Sequence, residues 1–274
     1  MSDYRKELET AERLAKEAGE IILKYFRKPF KVHNKADLSP VTEADLAASR
    51  FLVERLNRAF PNDVIISEEH IPKGATNSKR IWFVDPLDGT KEFIEGNDEF
   101  AVLIALLVGG SPMLGALYMP AKGEFAYAVE GGGAFLIDSS GKGSRLKVSS
   151  RQRQSELVIV HSRHHDVEAL RLFRESFAHG KSYPCGSAAM KCLEVAKGRA
   201  DLYPHPYKGL KAWDTAATYV IVREAGGVYS DGEGGRLLWS EDALYHKKGV
   251  IAGSPFAHKL ALMFLRGEPL NWEE

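Results

Sequence analysis

The stretch Trp82-Phe83-Val84-Asp85-Pro86-Leu87-Asp88-Gly89-Thr90 constrains this chain more than any other. Residues 81–84 are apolar and rich in β-formers, and they read as a buried strand. Proline has no N–H for a sheet ladder, so the chain is expected to leave the sheet at Pro86. Asp88-Gly89-Thr90 then reads as a turn into a helix. A strand that stops at two carboxylates just before a helix N-terminus offers hard oxygen ligands for Mg²⁺. The N–H groups of Gly89 and Thr90 can hold an anion beside that metal. Metal and phosphate in one place are what metal-assisted phosphate ester hydrolysis requires. A bare Asp-x-x-Asp-Gly is more often an ordinary hairpin turn, so the weight rests on the longer string.

The rest of the chain can support such a site. Its 274 residues suffice for one large domain or two lobes. Acidic and basic residues balance at 37 each, which argues against a nucleic-acid polymer as partner and leaves room for a local positive pocket. The two cysteines, Cys185 and Cys192, do not make a disulfide framework and suit a reducing cytoplasm. Residues 1–20 lack the apolar core of a signal peptide. The longest apolar stretch, 100–108, is far short of a membrane span.

Helical spacing of apolar residues runs over 4–26 and again from Thr42-Glu43-Ala44-Asp45 to residue 59, with Thr42 and Asp45 placed as a capping box. Residues 64–67 read as a strand followed by Glu68-Glu69, and 70–79 as a loop. Strands with turns between them over 100–137 predict an antiparallel meander. Gly131-Gly132-Gly133 is read there as a turn or bulge, since no Lys-Ser/Thr follows it. The polar stretch 139–155 is the candidate lobe boundary. After a strand at 157–160 come His161, His164 and His165, which lack cysteine partners and helical His-x-x-x-His spacing and are not read as a zinc site. Residues 166–177 and 186–198 read as helices, the latter opened by Gly186-Ser187, carrying Lys191 and closed by Gly198. A strand at 200–203, an irregular loop at 204–211 and a helix from Ala212-Trp213-Asp214 to Glu224 follow, then short strands and a last helix at 255–266.

Asp85-Pro86-Leu87-Asp88-Gly89-Thr90-Lys91-Glu92-Phe93 resembles the metal-binding motif of the lithium-sensitive, Mg²⁺-dependent phosphatases. That superfamily includes inositol monophosphatase, fructose-1,6-bisphosphatase and 3′(2′),5′-bisphosphate nucleotidase. Leu87 and Lys91-Glu92-Phe93 look most like the nucleotidase branch, whereas the inositol monophosphatase branch more often has Ile and Asn-Phe there. Pro40-Val41-Thr42-Glu43-Ala44-Asp45, Ser67-Glu68-Glu69 and Ser162-Arg163-His164-His165 resemble further segments of the superfamily. Trp213-Asp214-Thr215-Ala216-Ala217 with Glu224-Ala225-Gly226-Gly227 resembles its second signature.

The resemblance implies a mixed α/β fold, the layered αβαβα sandwich of the sugar phosphatases, with lobes 1–152 and 153–274 meeting at the active site. It implies roughly two to three Mg²⁺ ions, one held by Glu68, Asp85, the Leu87 carbonyl and Asp88, another by Asp85, Asp88 and Asp214. Thr90 and Asp45 would orient the nucleophilic water, with Glu68 also catalytic. Phosphate would rest on the Gly89 and Thr90 amides, with Ser162, His165, Ser187 and Lys191 as further substrate contacts. The implied reaction is hydrolysis of the 3′-phosphate of adenosine 3′,5′-bisphosphate to AMP, a link to sulfur assimilation. Inositol monophosphatase or broad sugar phosphatase activity is the alternative, supported by the 186–198 spacing. A non-catalytic phosphate binder on the same fold has no use for the water-orienting Thr90. The expected partner is a small phosphorylated substrate. Homodimers are common in such phosphatases, and no stretch here marks an interface.

Overall fold

The computed structural model describes residues 4–35, 39–72, 79–164, 167–177, 181–240 and 243–268. His165 and residues 73–78 of the expected loop lie outside them. Helix α1 (Arg5–Leu23) buries Ala11, Leu14, Ala15, Ala18 and Ile22 along one stripe. A short antiparallel pair, β1 (Val32–Asn34) and β2 (Pro40–Thr42), delivers the chain to α2 (Glu43–Ala59). Thr42 Oγ1 accepts the Ala44 and Asp45 N–H groups at 3.2 and 3.4 Å, and Asp45 Oδ2 accepts the Thr42 N–H at 2.7 Å. This is the reciprocal box that the spacing predicts.

Next come β3 (Val64–Ser67), β4 (Arg80–Asp88) and α3 (Thr90–Ile94). The predicted meander follows as β5 (Ala101–Val108), β6 (Ser111–Met119), β7 (Glu124–Val129), β8 (Gly133–Ile137) and β9 (Gly143–Arg145). Together β3 to β9 make a seven-stranded sheet in sequence order, parallel between β3 and β4 and antiparallel thereafter. The second half supplies β10 (Val158–Ser162), α4 (Glu168–Phe177), β11 (Lys181–Cys185), α5 (Ala188–Ala196), β12 (Leu202–His205), α6 (Ala212–Glu224), β13 (Val228–Asp231), β14 (Val250–Gly253) and α7 (Pro255–Leu265). Its five strands form a mixed sheet in the order β11-β10-β12-β14-β13.

Period-2 alternation sorts the side chains into layers. Trp82, Val84, Val102, Ile104 and Leu106 face α1 and α2. Ile81, Phe83, Leu103, Ala105 and Leu107 face α5 and α6. In the second sheet Val160, Tyr203 and Ala252 join the core around α5 and α6, whereas Ile159, Leu202 and Ile251 pack with Phe173 of α4 and Leu260 of α7. The order is therefore helices, sheet, helices, sheet, helices, the αβαβα layering that the resemblance implies. At one crossing the layers meet backbone to backbone. A Cβ on Gly115 of β6 would stand 2.2 Å from the Ala217 carbonyl oxygen of α6, so only glycine fits there.

Two local expectations change, and one strand carries no local signal. Pro86 does not end its strand. The ladder to β5 is intact through Asp85, shifts register, and resumes at Asp88 opposite Ala101, so Pro86 and Leu87 lie in an irregularity. The loop expected from residue 204 starts later, because Pro204 and His205 still pair with Ile251 and Val250. Proline is tolerated in this inner strand because β12 pairs with β10 only at Leu202, leaving no ladder donor to lose on that side. Strand β11, with Pro184 at the sheet edge, carries no alternation that the sequence reading could use.

Candidate active site

Strand register assembles the acidic centre. Ser67 is level with Val84 in the parallel β3–β4 pair, so Glu68 and Asp85 emerge side by side. The irregularity after Asp85 lets its Oδ1 accept the Leu87 N–H at 3.0 Å and carries Asp88 to the strand end. Gly89 then takes φ +94°, and a Cβ there would stand 2.7 Å from the Glu99 carbonyl oxygen, so the turn into α3 requires glycine. Asp214 arrives from the second half on the first turn of α6, where its Oδ2 accepts the Lys211 N–H at 2.8 Å.

Asp88 ties the halves together. Its carboxylate accepts the Ala188 and Ala189 N–H groups at 3.2 and 2.7 Å and the Ser187 hydroxyl, all at the start of α5. The N-terminus of α5 thus already holds an anion, supplied by the chain itself. Lys191 is buried one turn further on. Its Nζ donates to the Gly186 and Cys185 carbonyls at 2.9 and 3.2 Å and lies 5.3 Å from the Tyr203 ring centre.

Thr90 Oγ1 lies 3.1 Å from Asp45 Oδ1 and 3.1 Å from the Leu87 carbonyl oxygen. Asp45 is 1% exposed, and its burial raises the carboxyl to about 6 against the hydrogen bonds from Thr42 and Thr90. Burial also raises Asp85 and Asp214 well above the usual carboxylate range. Neighbouring charges push the same way, from Glu68, Asp88 and Asp214 on Asp85, and from Glu68 and Asp88 on Asp214. Asp88 is raised by burial, which outweighs the hydrogen bonds at the start of α5. Carboxylates that repel one another in a desolvated wall are a donor set matched to a hard dication, which would cancel the repulsion.

These groups border a cavity of about 420 Å³. Glu68, Asp85, Leu87, Asp88 and Asp214 line it, as do Gly89, Thr90, Ser162, Ser187 and Lys191. Asp45 reaches it through Thr90. His165 lies outside the described residues.

Other residues at the site make contacts that the sequence does not assign, among them Lys211, which the sequence offers only as a possible contact to ligand phosphate or ring from the 204–211 loop. Lys35, beyond β1, donates to Glu68 Oε1 at 2.8 Å and also bonds Glu69, and Lys211 Nζ stands 3.7 Å from Glu68 Oε1. A lone lysine in a loop carries no sequence signal for such a contact. Glu92, part of the central motif, lines the cavity with His164. Glu92, Glu95 and His164 offer ligand atoms that all lie within 4.8 Å of one another. Only the fold brings Glu92 of α3 to His164 in the turn after β10.

The sequence profile of the inositol monophosphatase family matches residues 3–266. The 3′(2′),5′-bisphosphate nucleotidase CysQ of Salmonella typhimurium is 38% identical over 234 residues, covering 84% of this chain and 92% of that protein. A histidinol-phosphatase of Chlorobaculum parvum is 35% identical over 248 residues, covering 87% and 90%. Among solved structures, the Thermotoga maritima IMPase superposes with a TM-score of 0.82 at 28% identity, covering 95% of this chain and 97% of that one. CysQ from Bacteroides thetaiotaomicron superposes with a TM-score of 0.76 at 31% identity, covering 92% and 98%. With the profile matched almost end to end and the layering and acidic wall described above, the chain belongs to the inositol monophosphatase family.

Proposed function

We propose that the protein is a Mg²⁺-dependent phosphomonoesterase that removes the 3′-phosphate of adenosine 3′,5′-bisphosphate, giving AMP and phosphate. The observation that carries the chemistry is the Thr90–Asp45 pair, 3.1 Å long, at the rim of the buried carboxylates Asp85, Asp88 and Asp214. The nucleotide as substrate rests on the 38% identity to CysQ and on Leu87 and Lys91-Glu92-Phe93.

Glu68, Asp85, the Leu87 carbonyl, Asp88 and Asp214 would hold roughly two to three Mg²⁺ ions, which supply Lewis acidity and lower the pKa of bound water when present. The chain's own residues manage the proton. Thr90 Oγ1 accepts a hydrogen bond from the attacking water and donates to Asp45 Oδ1, so the hydroxyl relays basicity from a buried carboxylate. Thr42 fixes Asp45 from behind through its N–H and hydroxyl, at 2.7 and 2.5 Å. Lys35 and Lys211 hold Glu68 at the wall. The Gly89 and Thr90 amides, Ser162, His165, Ser187 and Lys191 are the proposed substrate contacts. Among the described residues no helix is long and apolar enough to cross a membrane, and a cytoplasmic location is part of the proposal.

Phosphate release with Mg²⁺, with and without Li⁺, tests the reading on adenosine 3′,5′-bisphosphate, inositol 1-phosphate and histidinol phosphate. The nucleotide should lead in kcat/KM, and Li⁺ should inhibit. A lead for inositol phosphate or histidinol phosphate would keep the chemistry and overturn the substrate.

A further inference from the structure

We propose a second cation site on the cavity wall, formed by Glu92, Glu95 and His164, that binds zinc and is separate from the Asp85, Asp88 and Asp214 set. Glu92 is 1% exposed, and its two carboxylate oxygens are treated differently. Oε2 accepts from Arg163 Nη1 at 2.7 Å and from Asn97 Nδ2 at 3.0 Å. Oε1 is buried and has no hydrogen-bond partner. It points at His164 Nε2, 3.0 Å away, itself buried and without a hydrogen bond. The two atoms are close but not aligned as an N–H···O bond, and an imidazole nitrogen and a carboxylate oxygen that converge in this way are the donor types a cation between them would bind. Glu95 Oε2 stands 3.6 Å from the same nitrogen.

The spacing suits zinc. Donors about 2.0–2.2 Å from a tetrahedral zinc stand about 3.4 Å apart, and the observed 3.0 and 3.6 Å bracket that value. One imidazole and two carboxylates make a borderline donor set that suits zinc, whereas Mg²⁺ prefers oxygen alone. Charge agrees. Glu92 and Glu95 bring two negative charges to the same nitrogen, and Arg163 is shared between Glu92 and Glu99 on the other side. Gly186 provides the room, since a Cβ there would stand 2.3 Å from Glu92 Oε1. Three protein ligands leave one position open. Glu92 and His164 line the cavity, so a bound zinc would offer its open position to an anionic group inside it.

The test is equilibrium dialysis of zinc against the Mg²⁺-saturated full-length protein without substrate, comparing wild type, His164→Ala and Glu95→Gln. Zinc that enters the aspartate set is common to all three and cancels in the comparison. Wild type should bind one zinc more than His164→Ala, and Glu95→Gln should weaken that zinc at least tenfold. Zinc should also shift the ¹⁵N resonance of one histidine Nε2 that is missing from His164→Ala. Equal stoichiometry and affinity in all three proteins would overturn the site and leave His164 as an ion-pair partner of Glu92. Glu95 is exposed, so Glu95→Gln tests the site without disturbing the core. The readout is metal bound rather than phosphate released, so its failure is distinct from failure of the nucleotidase reading.

Discussion

Replacing Asp214 with Asn separates the metal-holding role of this carboxylate from its role in the fold. Asn keeps an oxygen to accept the Lys211 N–H, now made at 2.8 Å, so the first turn of α6 retains its cap. It removes a charge that burial and the charges of Glu68 and Asp88 disfavour. The metal-free variant should therefore be at least as stable as metal-free wild type. With Mg²⁺ the order reverses. A site that binds only the folded state adds about 2.7 kcal/mol at a free concentration of 100 times its Kd. For 274 residues the unfolding entropy is about 0.6 kcal/mol/K, so each site raises Tm by about 5 °C. Thermal scans in EDTA and in Mg²⁺ at 100 times the wild-type Kd should show Asp214→Asn losing about 5 °C of the Mg²⁺-induced rise. Mg²⁺-dependent phosphate release should fall below detection. A variant that keeps the full Mg²⁺ shift and near-wild-type turnover would refute the assignment, and one that melts early in EDTA would refute the electrostatic argument.

Thr90→Ala should lower kcat about 10²-fold or more while leaving Mg²⁺ affinity within a few-fold, as expected of a group acting on the water; loss of metal affinity with kcat intact would contradict the relay. The Asp45 carboxyl is raised to about 6, and only its ionised form accepts a proton, so kcat/KM should climb as pH rises through about 6. The same shift acts oppositely on stability. The Asp45 contribution is fully present below the ordinary carboxylate pKa of about 4 and is lost as pH rises through about 6. In Asp45→Asn both the rising limb and that stability change should vanish, and a rising limb unchanged in the variant would move the base elsewhere. Gly115→Ala would drive a methyl into the Ala217 carbonyl 2.2 Å away and should cost about 1–3 kcal/mol of stability, read as a lowered urea midpoint. An unchanged midpoint would mean that the crossing of β6 and α6 has slack.

Much of this protein is written in short-range pattern. The Thr42–Asp45 capping box, the meander over 100–137 and the helix that carries Asp214 are local matters, set by spacing of three or four residues or by alternation, and the sequence alone determines them. Asp85 and Asp88 are likewise legible as a carboxylate pair closing an apolar strand pattern before a helix, whereas Glu68 and Asp214 are legible as candidates only through segments that resemble the family's motifs. What those groups meet was decided by tertiary structure. Asp88 is held by Ser187, Ala188 and Ala189, about a hundred residues downstream, and Glu68 by Lys35 and Lys211. Glu92 faces His164 only because α3, which follows β4 of one sheet, and the turn after β10 of the other sheet come together at one cavity. Pro86 shows the limit from the other side. A missing N–H forbids one ladder bond, but whether the strand ends or skips a step depends on β5, which resumes pairing at Ala101. Periodicity reports which face of an element is apolar, whereas the partner that covers that face, and the charge it brings, is fixed by packing over distances that no local pattern encodes.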